Sequence, residues 1–126
     1  MYCDKEKAAL YGKLGEDKVA QFLRKQGYII IKRNWRDKRY GEIDIIAEDE
    51  QNIVFVEVKT RAAYSIVSGA EAVDFSKMRR VRNAAMMFAK RLNSEKEIRI
   101  DVAEVTVYTN GDGSNKWELK YIKSAF

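Results

Sequence analysis

The chain has 126 residues, 46% of them hydrophobic, and its 24 Lys and Arg outnumber 19 Asp and Glu to give a net charge of +5. That length supports one globular domain, residues 1–126, with its own core, and the surplus of positive charge suits a nucleic-acid partner without requiring one. With no histidine and a single cysteine, Cys3, the sequence excludes His-based triads and Cys/His zinc sites, so any metal has to be an oxygen-bound ion such as Mg²⁺, Mn²⁺ or Ca²⁺.

In chain order, the first expected element is a helix from about Asp4 or Lys7 to Gln26, closed by a basic last turn at Lys25 and a glycine cap at Gly27. Helical spacing puts Asp17, Gln21, Arg24 and Lys25 on its wet face and Gly12, Glu16, Val19, Ala20 and Leu23 on the inward one. A carboxylate in that inward row has two readings, a boundary residue paired with a lysine or a member of a charged site. Gly12 and Gly15 each cost the helix about 1 kcal/mol relative to Ala, which is tolerable where something must approach closely.

Tyr28 to Arg33 is a β-type run, and Asn34 to Tyr40 reads as a polar loop carrying Arg36, Lys38 and Arg39 with the aromatics Trp35 and Tyr40. Basic side chains interleaved with aromatics suit phosphate contacts and base stacking. They equally suit an ordinary solvated loop anchored by Trp35.

From Gly41 to Arg61 the sequence GEIDIIAEDEQNIVFVEVKTR alternates on both sides of the polar patch Asp49-Glu50-Gln51-Asn52. This is the pattern of two antiparallel strands joined by a short turn. Alternation groups Ile43, Ile45 and Ala47 on one face and Glu42, Asp44 and Ile46 on the other. On the second strand Val54, Val56 and Val58 share one face, and Ile53, Phe55, Glu57 and Lys59 the opposite one. With the turn centred on Glu50-Gln51, Asp44 lies opposite Glu57, and Glu42 opposite Lys59. Two carboxylates so opposed, about 5 Å apart, repel by roughly 3 kcal/mol at an effective dielectric near 20. A divalent cation shared by Asp44 and Glu57, with Lys59 beside it, turns that cost into a binding site. The plainer reading is a solvated acidic and basic face.

After a loop over Ala62 to Gly69, a second helix is expected from about Asp74 to Leu92, with Met78, Val81, Ala85, Phe88 and Leu92 inward and Asp74 or Ser76 as its cap. Lys77, Arg79, Arg80 and Arg82 crowd its first turns, where cations oppose the helix dipole; phosphate binding accounts for them, and so does a plain basic surface. Ile98 to Tyr108 reads as a long central strand, Asn110 to Asn115 as a turn, and Lys116 to Ile122 as a last strand with Trp117, Leu119 and Tyr121 on one face. The order α-β-β-β-α-β-β, with a crossover through the second helix that makes the third and fourth strands parallel, predicts an α/β fold with a mixed five-stranded sheet and two main helices.

Gly15-Glu16 on the helix, Asn34-x-Arg36, Gly41-Glu42-Ile43-Asp44 with Ile46-Ala47, and Val54-Phe55-Val56-Glu57-Val58-Lys59-Thr60-Arg61 together resemble the YraN-like family of predicted bacterial endonucleases. That family is related to the archaeal Holliday-junction resolvases in the PD-(D/E)xK nuclease superfamily. The resemblance covers nearly the whole chain and is most specific between Asn34 and Arg61; Ile43 stands where the superfamily usually has a proline. It implies a restriction-endonuclease-like core in which Asp44, Glu57 and the backbone carbonyl of Val58 hold the metal. It further implies that Lys59 positions or polarises the attacking water and that Glu16 completes the metal site, while Glu42 and Arg61 match family positions without an assigned role.

The resulting expectation is a Mg²⁺- or Mn²⁺-dependent DNA endonuclease acting on branched or otherwise structured DNA. Arg36, Lys38, Arg39, Arg61, Lys77, Arg79 and Arg80 are its nucleic-acid contacts, and a homodimer follows by analogy with the resolvases. The rival is a non-catalytic nucleic-acid-binding or scaffold protein that keeps the fold; a nuclease for RNA or single strands is a further alternative. No stretch approaches the roughly 20 apolar residues of a membrane span. The N-terminus MYCDKEKAAL lacks the apolar run of a secretory signal, and a lone cysteine closes no internal disulfide, so the expected location is the cytoplasm.

Overall fold

The computed structural model describes residues 4–63 and 75–125. The expected cap at Asp74, the expected loop from 64 to 69 and the side chain of Lys77 lie outside the described residues.

The first helix, α1, spans Asp4–Lys25. It stops because Gly27 takes a positive φ of 96°, which lets the Tyr28 N–H reach the Leu23 carbonyl and the Gly27 N–H the Arg24 carbonyl. These are the two bonds of a Schellman cap. The second helix, α2, spans Phe75–Leu92 and closes in the same way on Asn93, with φ 53°, a signal the sequence reading passed over.

Between and after the helices run five strands: β1 (Ile29–Asp37), β2 (Gly41–Glu48), β3 (Asn52–Ala62), β4 (Glu97–Thr109) and β5 (Asn115–Ile122). They form one mixed sheet in the order β1-β2-β3-β4-β5. All pairs are antiparallel except β3 with β4, which are parallel, as the crossover through α2 requires. The expected α/β architecture with five strands and two helices is the observed one.

Each face of the sheet carries one core. On the α1 side Val19, Ala20 and Leu23 pack on Ile45, Ala47, Val54, Val56, Ala103 and Val105. On the α2 side Val81, Ala84, Ala85 and Ala89 pack on Ile46, Ile53, Phe55 and Ile100. Leu92, expected inward, is 45% exposed in the last turn of α2. The buried stripe is built instead on three alanines, which let the helix sit close to the sheet.

The first two strands differ from expectation in a way that matters for the site. The segment read as a loop from Asn34 is strand as far as Asp37, paired through Trp35–Ile43, Arg36–Glu42 and Asp37–Gly41. Trp35 is 7% exposed, in an edge-to-face contact with Phe88 at 5.9 Å, so it is a core anchor and no stacking platform. Ile43 joins Trp35 in the α2 core, although Ile45 and Ala47 belong to the α1 core. The simple alternation therefore breaks between Ile43 and Ile45. Its cause is Asn34, held at φ 53°, a left-handed conformation that Asn tolerates better than most residues; it turns the ribbon over just where Asp44 stands.

Candidate active site

The β2–β3 ladder has the register expected from the turn: Glu48 faces Ile53, Ala47 faces Val54, Ile46 faces Phe55 and Ile45 faces Val56. The Asp49 carboxylate holds this turn by accepting the Gln51 and Asn52 N–H groups at 2.9 and 2.7 Å. One more step would put Asp44 opposite Glu57, but the main-chain ladder ends at Ile45–Val56. From there the strands part, and the Asp44 carboxylate itself accepts the Val58 N–H at 2.7 Å.

In an extended strand the N–H and C=O of one residue project to the same edge, so the Val58 carbonyl faces the same gap as Asp44. Side chains alternate: Val58 packs toward the α1 core, which puts Glu57 and Lys59 on the α2 side. Asp44 and Glu57 line one narrow crevice there, together with Glu42, Phe55 and Val81. Lys59 is exposed, and its ladder neighbour is Glu104 on β4. Glu42, expected across from Lys59, instead faces Arg36 on β1, 3.6 Å away in an exposed ion pair; β2 has left β3 before that pairing can form.

Glu16 comes to Asp44 from the α1 side, and the glycine before it makes this possible. A Cβ on Gly15 would collide with Thr60 Oγ1 and lie 3.2 Å from Thr60 Cβ, so only glycine lets the helix press onto β3 at this point. Gly12, the other glycine of the helix, has open space around it and no such role. Glu16 Oε1 is buried without a hydrogen-bond partner among the described residues. Burial raises its pKa above the ordinary value, the Asp44 charge raises it further, and Arg33 opposes both. The expected alternative partner was a lysine; the cation beside Glu16 is Arg33, whose guanidinium is held by Asp17 at 2.7 Å.

The structure thus brings Asp44 together with Glu57 and Val58 on one side and with Glu16 on the other. Among the described residues no group of three or more Asp, Glu or Cys converges tightly enough to form a ready-made metal cage. The donor set is nevertheless all oxygen, and a buried carboxylate oxygen without a partner is what an oxygen-ligated cation would satisfy.

The basic residues gather around the same end of the sheet. Lys38 and Arg39 sit in the β1–β2 turn and Arg36 is the next-to-last residue of β1, Arg61 is the next-to-last residue of β3, and Arg79 and Arg80 precede Val81; all are exposed. Arg36 belongs to a strand and not to a loop, because it pairs with Glu42.

Two residues were missed by the sequence reading. Arg33 lies on the α1 side, opposite Ile45, only because the β1–β2 ladder slips by a residue between Ile30 and Lys32, so that Ile31 packs on the α2 side. Asp101 is fully buried and interrupts the apolar run of β4 between Ile100 and Val102. For Asp101 the odd charge in an apolar run was the available signal; for Arg33 the slip in the ladder left none in the local pattern.

Comparison with known proteins agrees with the motif reading at the level of family. Residues 15–105 match the family described as uncharacterised protein family UPF0102, a span that takes in Gly15, Glu16, Asp44, Glu57, Lys59 and Asp101. The chain is 39% identical over 127 residues to a UPF0102 protein of Clostridium botulinum (strain 657 / Type Ba4), covering 99% of this chain and 97% of that protein. It is 46% identical over 101 residues to a UPF0102 protein of Nocardia farcinica (strain IFM 10152), covering 79% and 78%. The chain belongs to the UPF0102 family, the YraN-like family that its motifs resemble.

Proposed function

We propose that the protein is a Mg²⁺- or Mn²⁺-dependent DNA endonuclease with a restriction-endonuclease-like core, hydrolysing phosphodiester bonds in branched or otherwise structured DNA. The observation that carries this reading is the opening of the β2–β3 ladder at Ile45–Val56, which leaves Asp44, Glu57 and the Val58 carbonyl around one gap. These three groups would hold the ion, with Glu16 behind Asp44. A closed cage is not needed, because Mg²⁺ commonly takes one or two carboxylates and keeps several waters. When bound, the ion supplies charge stabilisation at the phosphate and makes water a better nucleophile.

The chain's own groups do the rest. Lys59, on the same face as Glu57 and two residues further along β3, orients the attacking water. The exposed Arg36, Lys38, Arg39, Arg61, Arg79 and Arg80, with Lys77 in the same run, neutralise backbone phosphates and set the register of the substrate. The preference for branched DNA and a resolvase-like homodimer rest on the family resemblance alone. The lack of a converged three-carboxylate group among the described residues favours the second reading, a non-catalytic nucleic-acid-binding protein on the same fold.

Labelled duplex, flap, fork and four-way DNA incubated with Mg²⁺, Mn²⁺ or chelator test the reading. Cleavage is expected with either ion and not in chelator, and Lys59→Ala is expected to abolish it while DNA affinity stays nearly unchanged, since Lys59 acts on the transition state. Undiminished cutting by Lys59→Ala would remove Lys59 from the mechanism. Salt-dependent DNA binding without cleavage of any substrate would hand the protein to the second reading.

A further inference from the structure

Where α1 packs on β1 and β3, Glu16 Oε1 on α1, Arg33 Nε on β1 and Thr60 Oγ1 on β3 are each buried without a hydrogen-bond partner among the described residues. Leaving such atoms unmet is costly, and a protein that keeps them usually has another use for them. Arg33 is the charged donor of the set. Its Nη2 donates to Asp17 Oδ1 at 2.7 Å, and Asp17 follows Glu16 on the helix. Its Nε–H can only donate, yet it is buried and unspent. Across the β1–β2 ladder Arg33 faces Ile45, the neighbour of Asp44. The guanidinium is therefore gripped by the helix residue that follows Glu16, and its strand position lies opposite the chain neighbour of Asp44.

We propose that Arg33 is a positioning residue for Glu16: a built-in counter-cation, tethered by Asp17, that balances the Glu16 and Asp44 charges in the metal-free protein and releases Glu16 when a divalent ion binds. The inference rests on the reading of Glu16 and Asp44 as part of a cation site. Asp17 makes the exchange workable, because the guanidinium keeps one charged partner in both states. An arginine stays protonated at any working pH, so it opposes an incoming cation by its charge throughout. Removing it should make the carboxylates bind a cation more tightly, and untying it from Asp17 should do the reverse by leaving Glu16 as its partner. A bridge that only tied α1 to β1 would affect stability and leave metal affinity alone.

Calorimetric titration of Mn²⁺ into the whole protein without DNA, with melting curves in chelator and in Mn²⁺, tests this. Arg33→Gln is expected to bind Mn²⁺ about threefold or more tighter, to melt lower in chelator, and to gain more from Mn²⁺ than the unmodified protein does. Asp17→Asn is expected to bind Mn²⁺ more weakly, and to have little further effect once Arg33 is Gln. Unchanged or weaker Mn²⁺ binding by Arg33→Gln overturns the proposal, as does an Asp17→Asn effect of equal size with and without Arg33, which would be the effect of its own charge. Glu16→Gln separates the two possible failures. If it leaves Mn²⁺ affinity unchanged, Glu16 is outside the cation site and the underlying reading fails. If it weakens Mn²⁺ binding while Arg33→Gln does not strengthen it, only the counter-cation role fails. Arg33→Met, which keeps the packed stem, replaces Arg33→Gln should the latter not fold.

Discussion

Asp101 and Glu16 both lie on the α1 side of the sheet, and they are treated in opposite ways. Asp101 has no solvent exposure, but every direction around its carboxylate is answered: Arg99 donates from Nε at 3.0 and 3.1 Å and from Nη2 at 2.9 Å, Tyr121 Oη at 2.6 Å and the Ser124 N–H at 2.9 Å. Arg99 is itself anchored to Tyr28 Oη at 2.6 Å, and burial together with the Asp101 contact pushes the Tyr121 phenol well above its ordinary range. Glu16 is less buried, yet one of its oxygens is unmet and another carboxylate faces it. Depth of burial therefore does not tell these two charges apart. The completeness of hydrogen bonding does separate these two, since a buried charge with all its partners present has its desolvation offset within the chain, while the unmet Glu16 oxygen would be satisfied by the cation proposed above.

The contrast breaks first at Asp101. Asp101→Ala is expected to lose about 3–5 kcal/mol, because Arg99 would be left buried without its partner, and the tail that Ser124 ties down would be released. Urea denaturation measures it, and the loss should be the same with and without Mn²⁺. A variant as stable as the parent would mean that the network is no clamp.

Gly15→Ala probes the seam that carries Glu16 to Asp44. Helix propensity favours alanine by about 1 kcal/mol, but the added methyl has to displace Thr60, and overpacking of this kind costs about 1–3 kcal/mol. Net destabilisation is expected, with most of it recovered when Thr60→Ala is added to the same chain. A Gly15→Ala protein that melts higher than the parent would show that the helix is not pressed onto β3 in solution.

The smallest effect is expected from Glu16→Gln, and its sign is the informative part. Burial first and Asp44 second raise the Glu16 pKa above 4.5, so the folded chain holds this proton more tightly than the unfolded one. Below 4.5 both states are protonated and nothing is lost; stability falls as pH rises from there through the raised folded value, and the loss is complete above it. Glu16→Gln removes that loss. In chelator the variant should melt above the parent at neutral pH, with the gap closing as the pH is brought down to about 4. If it melts lower at neutral pH, Glu16 is a structural carboxylate of the same kind as Asp101.

Local chemistry carried much of this protein. The inward row of α1, the Gly27 cap, the two-strand pattern around Asp49–Asn52 with its register, and the crossover that makes β3 and β4 parallel all follow from side-chain period, turn residues and chain connectivity, which act over a few neighbouring positions. Those same rules placed Asp44, Glu57, Val58 and Lys59 at one end of the hairpin, because all four sit within three steps of the last pair in a ladder whose register the turn dictates. What they could not reach is set by contacts between distant parts of the chain. Only the tertiary structure decided that β2 leaves β3 at Ile45, that Asn34 turns the ribbon over so that Ile43 joins Trp35, that Gly15 meets Thr60, that Arg33 stands beside Glu16, and that Asp101 is closed in by Arg99, Tyr121 and the backbone of Ser124. No helical or strand period encodes those meetings, since each depends on how α1 and the sheet edges pack in three dimensions.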